Sequence, residues 1–184
     1  NGNNTNTGSY SRPWQSISKA NSMLTAGDEV VIRPGNYKSA TILPVSTGVS
    51  DAQGGKRIVY RAAVRGSVTV KKVDVQGKSY ITISNINISG PQYIDMKKSD
   101  HITDEKSTMT NSTTHPGVDM TNSSYAVLRE NIIYGTNAGY QDLVLMNNNA
   151  HHNLIERNRF EQGSHTLLRI GGKNRYDNTD PRKI

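Results

Sequence analysis

The sequence predicts an all-β chain wound into a right-handed parallel β-helix, with one α-helix capping its amino-terminal end. Three observations predict it. The core is too sparse for an ordinary globule, the apolar period changes early from helical to strand-like, and short strands recur without gaps at steps of 24, 26 and 24 residues. Of 184 residues only about 20% are Leu, Ile, Val or Phe, near the level at which burial fails to offset ordering entropy. A solenoid needs few inward side chains per coil and stacks polar ones as well. Parallel strands joined by crossovers are right-handed almost without exception.

Residues 1–12 are dominated by Asn, Thr, Gly and Ser and read as a flexible arm. Residues 13–184 read as a single domain. Trp14, Ile17, Ala20, Met23 and Leu24 fall at helical spacing, giving a helix of about three turns from Trp14 to Leu24 that Gly27 ends. After it the pairs Val30 and Ile32, Ile58 and Tyr60, and Val68 and Val70 alternate with polar residues as strands do. No second helix follows.

The repeat orders the rest. Tyr93–Lys97, Gly117–Thr121, Leu143–Asn147 and Leu167–Gly171 align without gaps, and Ser67–Lys71 extends the series by a further 26 residues. In each the second and fourth residues are apolar and point inward. A second set begins at Ile81, Ile102, Val127 and Leu154. It places Asn85, Asn131 and Asn158 at a bend, where Asn tolerates the left-handed conformation and can bond to the next coil; Lys106 interrupts that series. The same alignment stacks Asp104, Arg129 and Glu156 in one column and Glu105, Glu130 and Arg157 in the next. Arg129 with Glu156 and Glu130 with Arg157 are then surface ion pairs of at most about 1 kcal/mol each.

The net charge of +7 suits an acidic polymer, an anionic surface or nucleic acid. The cations are scattered and lack interleaved aromatics, which argues against nucleic acid. Without Cys there is no disulfide framework, thiolate metal site or cysteine nucleophile. No stretch is long and apolar enough to span a bilayer. Asn1 to Gly8 do not read as a signal peptide, so an exported protein would be seen here in its mature form.

Gly8–Ile17, with its PW-x-x-I pattern, and Ala26–Tyr37, with GD-x-V-x-I-x-PG-x-Y, resemble the cap and first coil of the pectate-lyase-like β-helix superfamily. The later coils are similar to its generic repeats, and the cap is nearest to the chondroitinase B and alginate lyase branch. The paired-Asp signature of polygalacturonases and the Asp-Pro-His-Asp motif of mannuronan epimerases are absent. The resemblance implies a secreted or extracellular protein acting on a polysaccharide, by β-elimination on a uronic acid in the first reading. A non-catalytic tail-fibre, adhesin or surface element is the second. It also implies more coils than 184 residues hold, so the chain is expected to be a fragment or a minimal member. An uncapped last coil would invite pairing with a second copy.

The resemblance places the groove over the outward residues of the first strand set. These are Thr69, Asp95, Asp119, Leu145 and Arg169, with Lys71, Lys97, Thr121 and Asn147 beside them and His115, Gln141 and His165 just before. Asp95 and Asp119, one strand spacing apart, are the candidate metal ligands, with Ca²⁺ as the hard cation such oxygens suit; the alternative is neutralisation by Lys71 and Lys97. β-Elimination needs a neutralised carboxylate, a base for the C5 proton and an acid for the leaving oxygen. Lys97, His115 and Asp119 are the candidate catalytic residues, Lys97 or His115 as base. Arg169, His165 and Lys71 are the candidate substrate-binding residues. Tyr93, Tyr125, Tyr134 and Tyr140 are candidate stacking platforms or core covers. His151 and His152 read as solvent-facing.

Overall fold

The computed structural model describes residues 2–113, 116–135, 142–163 and 165–171. The amino-terminal helix α1 spans Ile17–Met23, shorter than its apolar spacing suggested. Its first turn is set by Ser16, whose side chain accepts the Lys19 N–H. The preceding Trp14 belongs instead to the segment before it, where the indole N–H donates to the Asn6 carbonyl at 2.9 Å. Gly8, at φ 83°, lies so close to that ring that a Cβ would sit 2.5 Å from it. Ile17, Ala20 and Leu24 are buried, and Trp14 is half-buried against the same core. Asn21 pins the helix, donating to Thr41 O at 2.9 Å and accepting from the buried Tyr60 hydroxyl at 3.1 Å. Gly27 does not end this helix, which stops at an extended Leu24. It closes the next turn at φ 98°, where the Asp28 carboxylate accepts the Thr25 N–H at 2.7 Å.

Two passes with long strands come first: β1 (Glu29–Ile32) and β2 (Gly35–Ile42), then β3 (Ile58–Ala62) and β4 (Val68–Asp74). Four three-sided coils follow. They are β5 (Ile81–Ser84), β6 (Asn87–Ser89) and β7 (Ile94–Asp95); β8 (Thr103–Glu105), β9 (Thr108–Thr110) and β10 (Val118–Asp119); β11 (Val127–Arg129), β12 (Ile132–Tyr134) and β13 (Asp142–Met146); and β14 (Leu154–Glu156), β15 (Arg159–Glu161) and β16 (Thr166–Ile170). One sheet stacks β1-β3-β5-β8-β11-β14. The other holds two columns, β6-β9-β12-β15 and β7-β10-β13-β16, joined because β4 is long enough to pair with both β6 and β7. The strand pairs are parallel, as a coil that always advances one way requires. Among the described residues no helix is long and apolar enough to cross a membrane.

Ile94, Val118, Val144 and Leu168 stack in one column as the repeat predicts. The residue above Ile94, however, is Val73 and not Val68. Val68–Lys71 lies over the β6 column instead, Thr69 opposite Asn87. As one strand, β4 passes from the β6 column to the β7 column with both Val70 and Val73 inward and without the connecting segment that separates β6 from β7, so this step is shorter than the later ones. Asp74 therefore heads the outward column where Thr69 was expected, and Lys71 moves away from Lys97.

A second correction concerns β8. Leu128 pairs with Asp104 and Arg129 with Glu105, one residue from the predicted alignment. Asp104 consequently joins Ile83, Leu128 and Ile155 in an inward column and is fully buried. The outward column is Glu105, Arg129 and Glu156, with an Arg129–Glu105 contact of 2.6 Å. The left-handed corner is held by Asn85, Lys106, Glu130 and Arg157, at φ 60°, 57°, 56° and 51°. Asn131 and Asn158 follow that corner rather than form it. Their side chains bond between coils, Asn158 Oδ1 accepting the Asn131 N–H at 2.9 Å and Asn131 Oδ1 accepting the Ser107 N–H at 2.8 Å. Ser107 takes the Asn position in the coil that departs from the pattern.

At another corner Tyr80, His101, Tyr125 and His152 all adopt positive φ. Their rings stack along the axis at 4.5, 4.8 and 4.9 Å. The sequence signal for this ladder is the alternation of Tyr and His at one position per coil.

Candidate functional site

Strands β7 and β10 end in aspartates held in direct register, Asp95 opposite Asp119, and Asp74 of β4 continues the column. Each carboxylate closes its own turn, its Oδ1 accepting the N–H two residues on: Gln76 at 3.3 Å, Lys97 at 3.2 Å and Thr121 at 3.0 Å. This is the Asx turn that Asp forms at strand ends. The sequence therefore has a structural reason for Asp at these three places, besides any chemistry.

Two lysines thread the column. Lys72 Nζ lies 3.0 Å from Asp74 and 3.8 Å from Asp95. Lys97 Nζ lies 3.0 Å from Asp95 and 3.9 Å from Asp119. Lys97, two residues after Asp95, was expected here; Lys72 replaces the expected Lys71. The aspartates were expected on an open face, but their side chains are only 5% and 11% exposed, against 36% for Lys97. The cation covers the acids. The Asp95 hydrogen bond holds the Lys97 ammonium above the usual lysine range, aided by the charges of Asp95, Asp119 and Asp74 and opposed by burial. Such a lysine keeps its proton and suits a cation or an acid better than a base.

Beside the column lies a cleft of about 500 Å³ lined by Thr41, Lys71, Lys72, Pro91, Gln92, Lys97, Pro116 and Asp119. Among the described residues Lys71 has no carboxylate partner, so its charge faces the cleft uncompensated. His115 lies outside the described residues. Among the described residues no group of three or more His, Asp or Glu side chains is close enough together to hold a metal ion. Asp95 and Asp119 alone offer fewer oxygens than Ca²⁺ takes, and Lys97 contacts both.

Arg169 occupies the predicted outward column, following Leu145, which follows Asp119. It does not reach Asp119. Instead Arg169 NH1 lies 3.4 Å from one oxygen of Asp142 and His165 Nδ1 lies 2.9 Å from the other. Asp142 is fully buried and was not singled out from the sequence, because the equivalent places in the other coils, Gln92, Pro116 and Thr166, share no pattern that marks it. Among the tyrosines, Tyr93 is buried and its hydroxyl bonds to Tyr134 O, so it is a core cover. Tyr125 is exposed but has rings on either side. Tyr140 lies outside the described residues.

Comparison with known proteins agrees with this architecture. No curated protein matches the chain in sequence. The crystal structure of an alginate lyase from Paenibacillus sp. str. FPU-7 is similar over 80% of this chain and 70% of that one, with 14% identity and a TM-score of 0.55. The family described as right handed beta helix region matches residues 38–179. The chain thus belongs to the right-handed β-helix family, with the pectate-lyase-like fold its cap and early coils resemble.

Proposed function

We propose that this protein acts outside the cell on an anionic, uronate-containing polysaccharide, as a lyase working by β-elimination. The observation that carries the reading is the cleft on the β4, β7 and β10 face, lined by three lysines of which Lys71 has no carboxylate partner among the described residues. A polymer carboxylate fits that uncompensated charge, and Pro91 and Pro116 give the sugar an apolar border. In this reading Lys71 and Lys97 bind and neutralise the uronate, which makes its C5 proton more acidic. Lys97, kept protonated by Asp95, also suits delivery of a proton to the leaving oxygen. His115 is the proposed base and Asp119 orients Lys97. His165 and Arg169 bind a further part of the chain. Ca²⁺ is a proposed co-ligand that Asp95 and Asp119 would share with substrate oxygens, supplying a further charge against the carboxylate.

The second reading is a binding or structural β-helix without catalysis. It is favoured by the ion-pair column itself, since the described lining of the cleft supplies cations and a paired carboxylate rather than a ready base. Incubation with alginate, pectate and chondroitin, each with and without Ca²⁺, separates the two. Growth of the unsaturated-uronate absorbance marks a lyase, and a loss of turnover in Lys97→Met that exceeds its loss of binding assigns the acid. Binding without product supports the second reading, and neither binding nor product rejects both. Leu154, Leu167 and Ile170 of the last described coil are exposed. Pairing of that end with a second copy is a further proposal, and light scattering that shows only monomer refutes it.

A further inference from the structure

We propose that Asp142 is a positioning residue that fixes His165 and Arg169 as a second anion-binding station, so that an extended polyanion lies along the helix axis across both stations. This rests on the polysaccharide reading above and adds to it the length and charge spacing of the ligand. The two stations share one construction. At the first, nearly buried Asp95 and Asp119 hold the more exposed Lys97. At the second, a fully buried Asp142 gives one oxygen to His165 and the other to Arg169, whose side chains remain 43% and 51% exposed. A buried carboxylate is costly unless paired, and each pairing also removes rotamer freedom from the side chain above it. The long Arg169 side chain is thereby ordered before any ligand arrives.

The spacing follows from the register. Asp119 is opposite Leu145 and Leu145 opposite Arg169, which puts the Arg169 backbone about 10 Å along the axis from that of Asp119, while its guanidinium reaches back along the strand to Asp142, opposite Thr166. The axial offset is longer than one sugar ring, so two anionic groups of one ligand reaching both stations must belong to different units. Leu145, half-buried between them, offers apolar surface to the ring that bridges the gap. The ligand class is therefore an oligomer with carboxylate or sulfate groups on separate units, held in line with the axis.

The test compares a uronate disaccharide with an octasaccharide of the same polymer by calorimetry. The parent should bind the octasaccharide at least roughly tenfold more tightly, because the second station acts at high effective concentration once the first is filled. Asp142→Asn should lose roughly tenfold for the octasaccharide and less than about twofold for the disaccharide. Arg169→Gln and His165→Gln alter exposed side chains and should show the same length-selective loss, which keeps the test decisive if the Asp142 variant does not fold. Equal binding by the parent and all three variants at both lengths overturns the inference while leaving the polysaccharide reading intact, as does a loss that is the same for both lengths. A parent that binds neither length overturns the polysaccharide reading, and this inference with it.

Discussion

Asp104 and the Asp95–Asp119 pair are the same residue type on neighbouring sides of the same coils, yet they face opposite environments. Asp104 stands in an inward column with Ile83, Leu128 and Ile155. It accepts one hydrogen bond from the Ser107 hydroxyl at 3.0 Å, and its other oxygen is without a partner. Burial pushes its carboxyl up to about 7, with Glu105 adding to the rise and the Ser107 hydrogen bond and the nearby Asn131 amide, which donates to the Asp104 backbone carbonyl, opposing it. Asp95 and Asp119 are also mostly buried, but each has a turn N–H and a lysine. What separates the two cases is the partner supplied, not the depth. An acid buried without a cation is pushed toward its neutral form, whereas Asp95 and Asp119 each lie against an ammonium.

Replacing the inner acid should have the largest effect. Below about pH 4 Asp104 is protonated in both folded and unfolded chains. Between about 4 and 7 the folded state keeps a proton that the unfolded chain has lost, so its stability falls as pH rises, and above about 7 the loss is complete. The shift to about 7 corresponds to a contribution about 3 kcal/mol less favourable at pH 8 than at pH 5. Asp104→Leu, matching Leu128 in the column, should remove that difference and stabilise the protein at pH 8 by a similar amount. Denaturant unfolding of parent and variant at both pH values reads it; parallel pH profiles would place a charged, compensated Asp104 in the core.

The outer pair should respond in the opposite sense. Lys97→Met leaves two adjacent carboxylates with only the 3.8 Å contact from Lys72 and should cost about 2 kcal/mol, below the range for fully buried pairs because Lys97 is partly exposed. Adding Asp119→Asn should recover about half of it. A double-mutant cycle with no coupling between the two sites contradicts the shared role of Lys97.

Removing the single hydrogen bond to the inner acid should matter less. Ser107→Ala should cost about 1 kcal/mol at pH 5 and more at pH 8, where the carboxylate needs the donor most. The smallest effect belongs to an exposed pair. Arg157 contacts Glu130 at 3.1 Å with its own side chain 59% exposed, so Arg157→Ala should change stability by less than about 0.5 kcal/mol. A larger loss there would mean that exposed ion pairs set the register of the coils.

The same comparison shows how far the sequence could be read. Columns built from apolar residues, such as Ile94, Val118, Val144 and Leu168, were legible because a β-helix repeats inward positions once per coil. Asp95 and Asp119 followed from them. Asp104 was misplaced because an inward acid breaks the apolar-in pattern, and a one-residue slip reverses every side chain of a strand. Lys72 was missed because β4 passes from one column to the next as a single strand, which shortens the step to the next coil. Asp142 was missed because nothing local distinguishes a buried acid from a solvated one; only its distance to His165 and Arg169 does. The stacked Tyr80, His101, Tyr125 and His152 were present as a spacing, but their left-handed corner is set by the coil and not by residue preference.

The face of β4, β7, β10 and β16 is proposed to receive an anionic polysaccharide, and backbone amide shifts recorded while uronate octasaccharides are added check this. The shifts should concentrate at residues 71–72, 95–98, 119–121 and 165–169, and should recede as salt is raised. Shifts centred on the Tyr80–His152 corner, on the amino-terminal cap, or equally strong with a neutral oligosaccharide would contradict it.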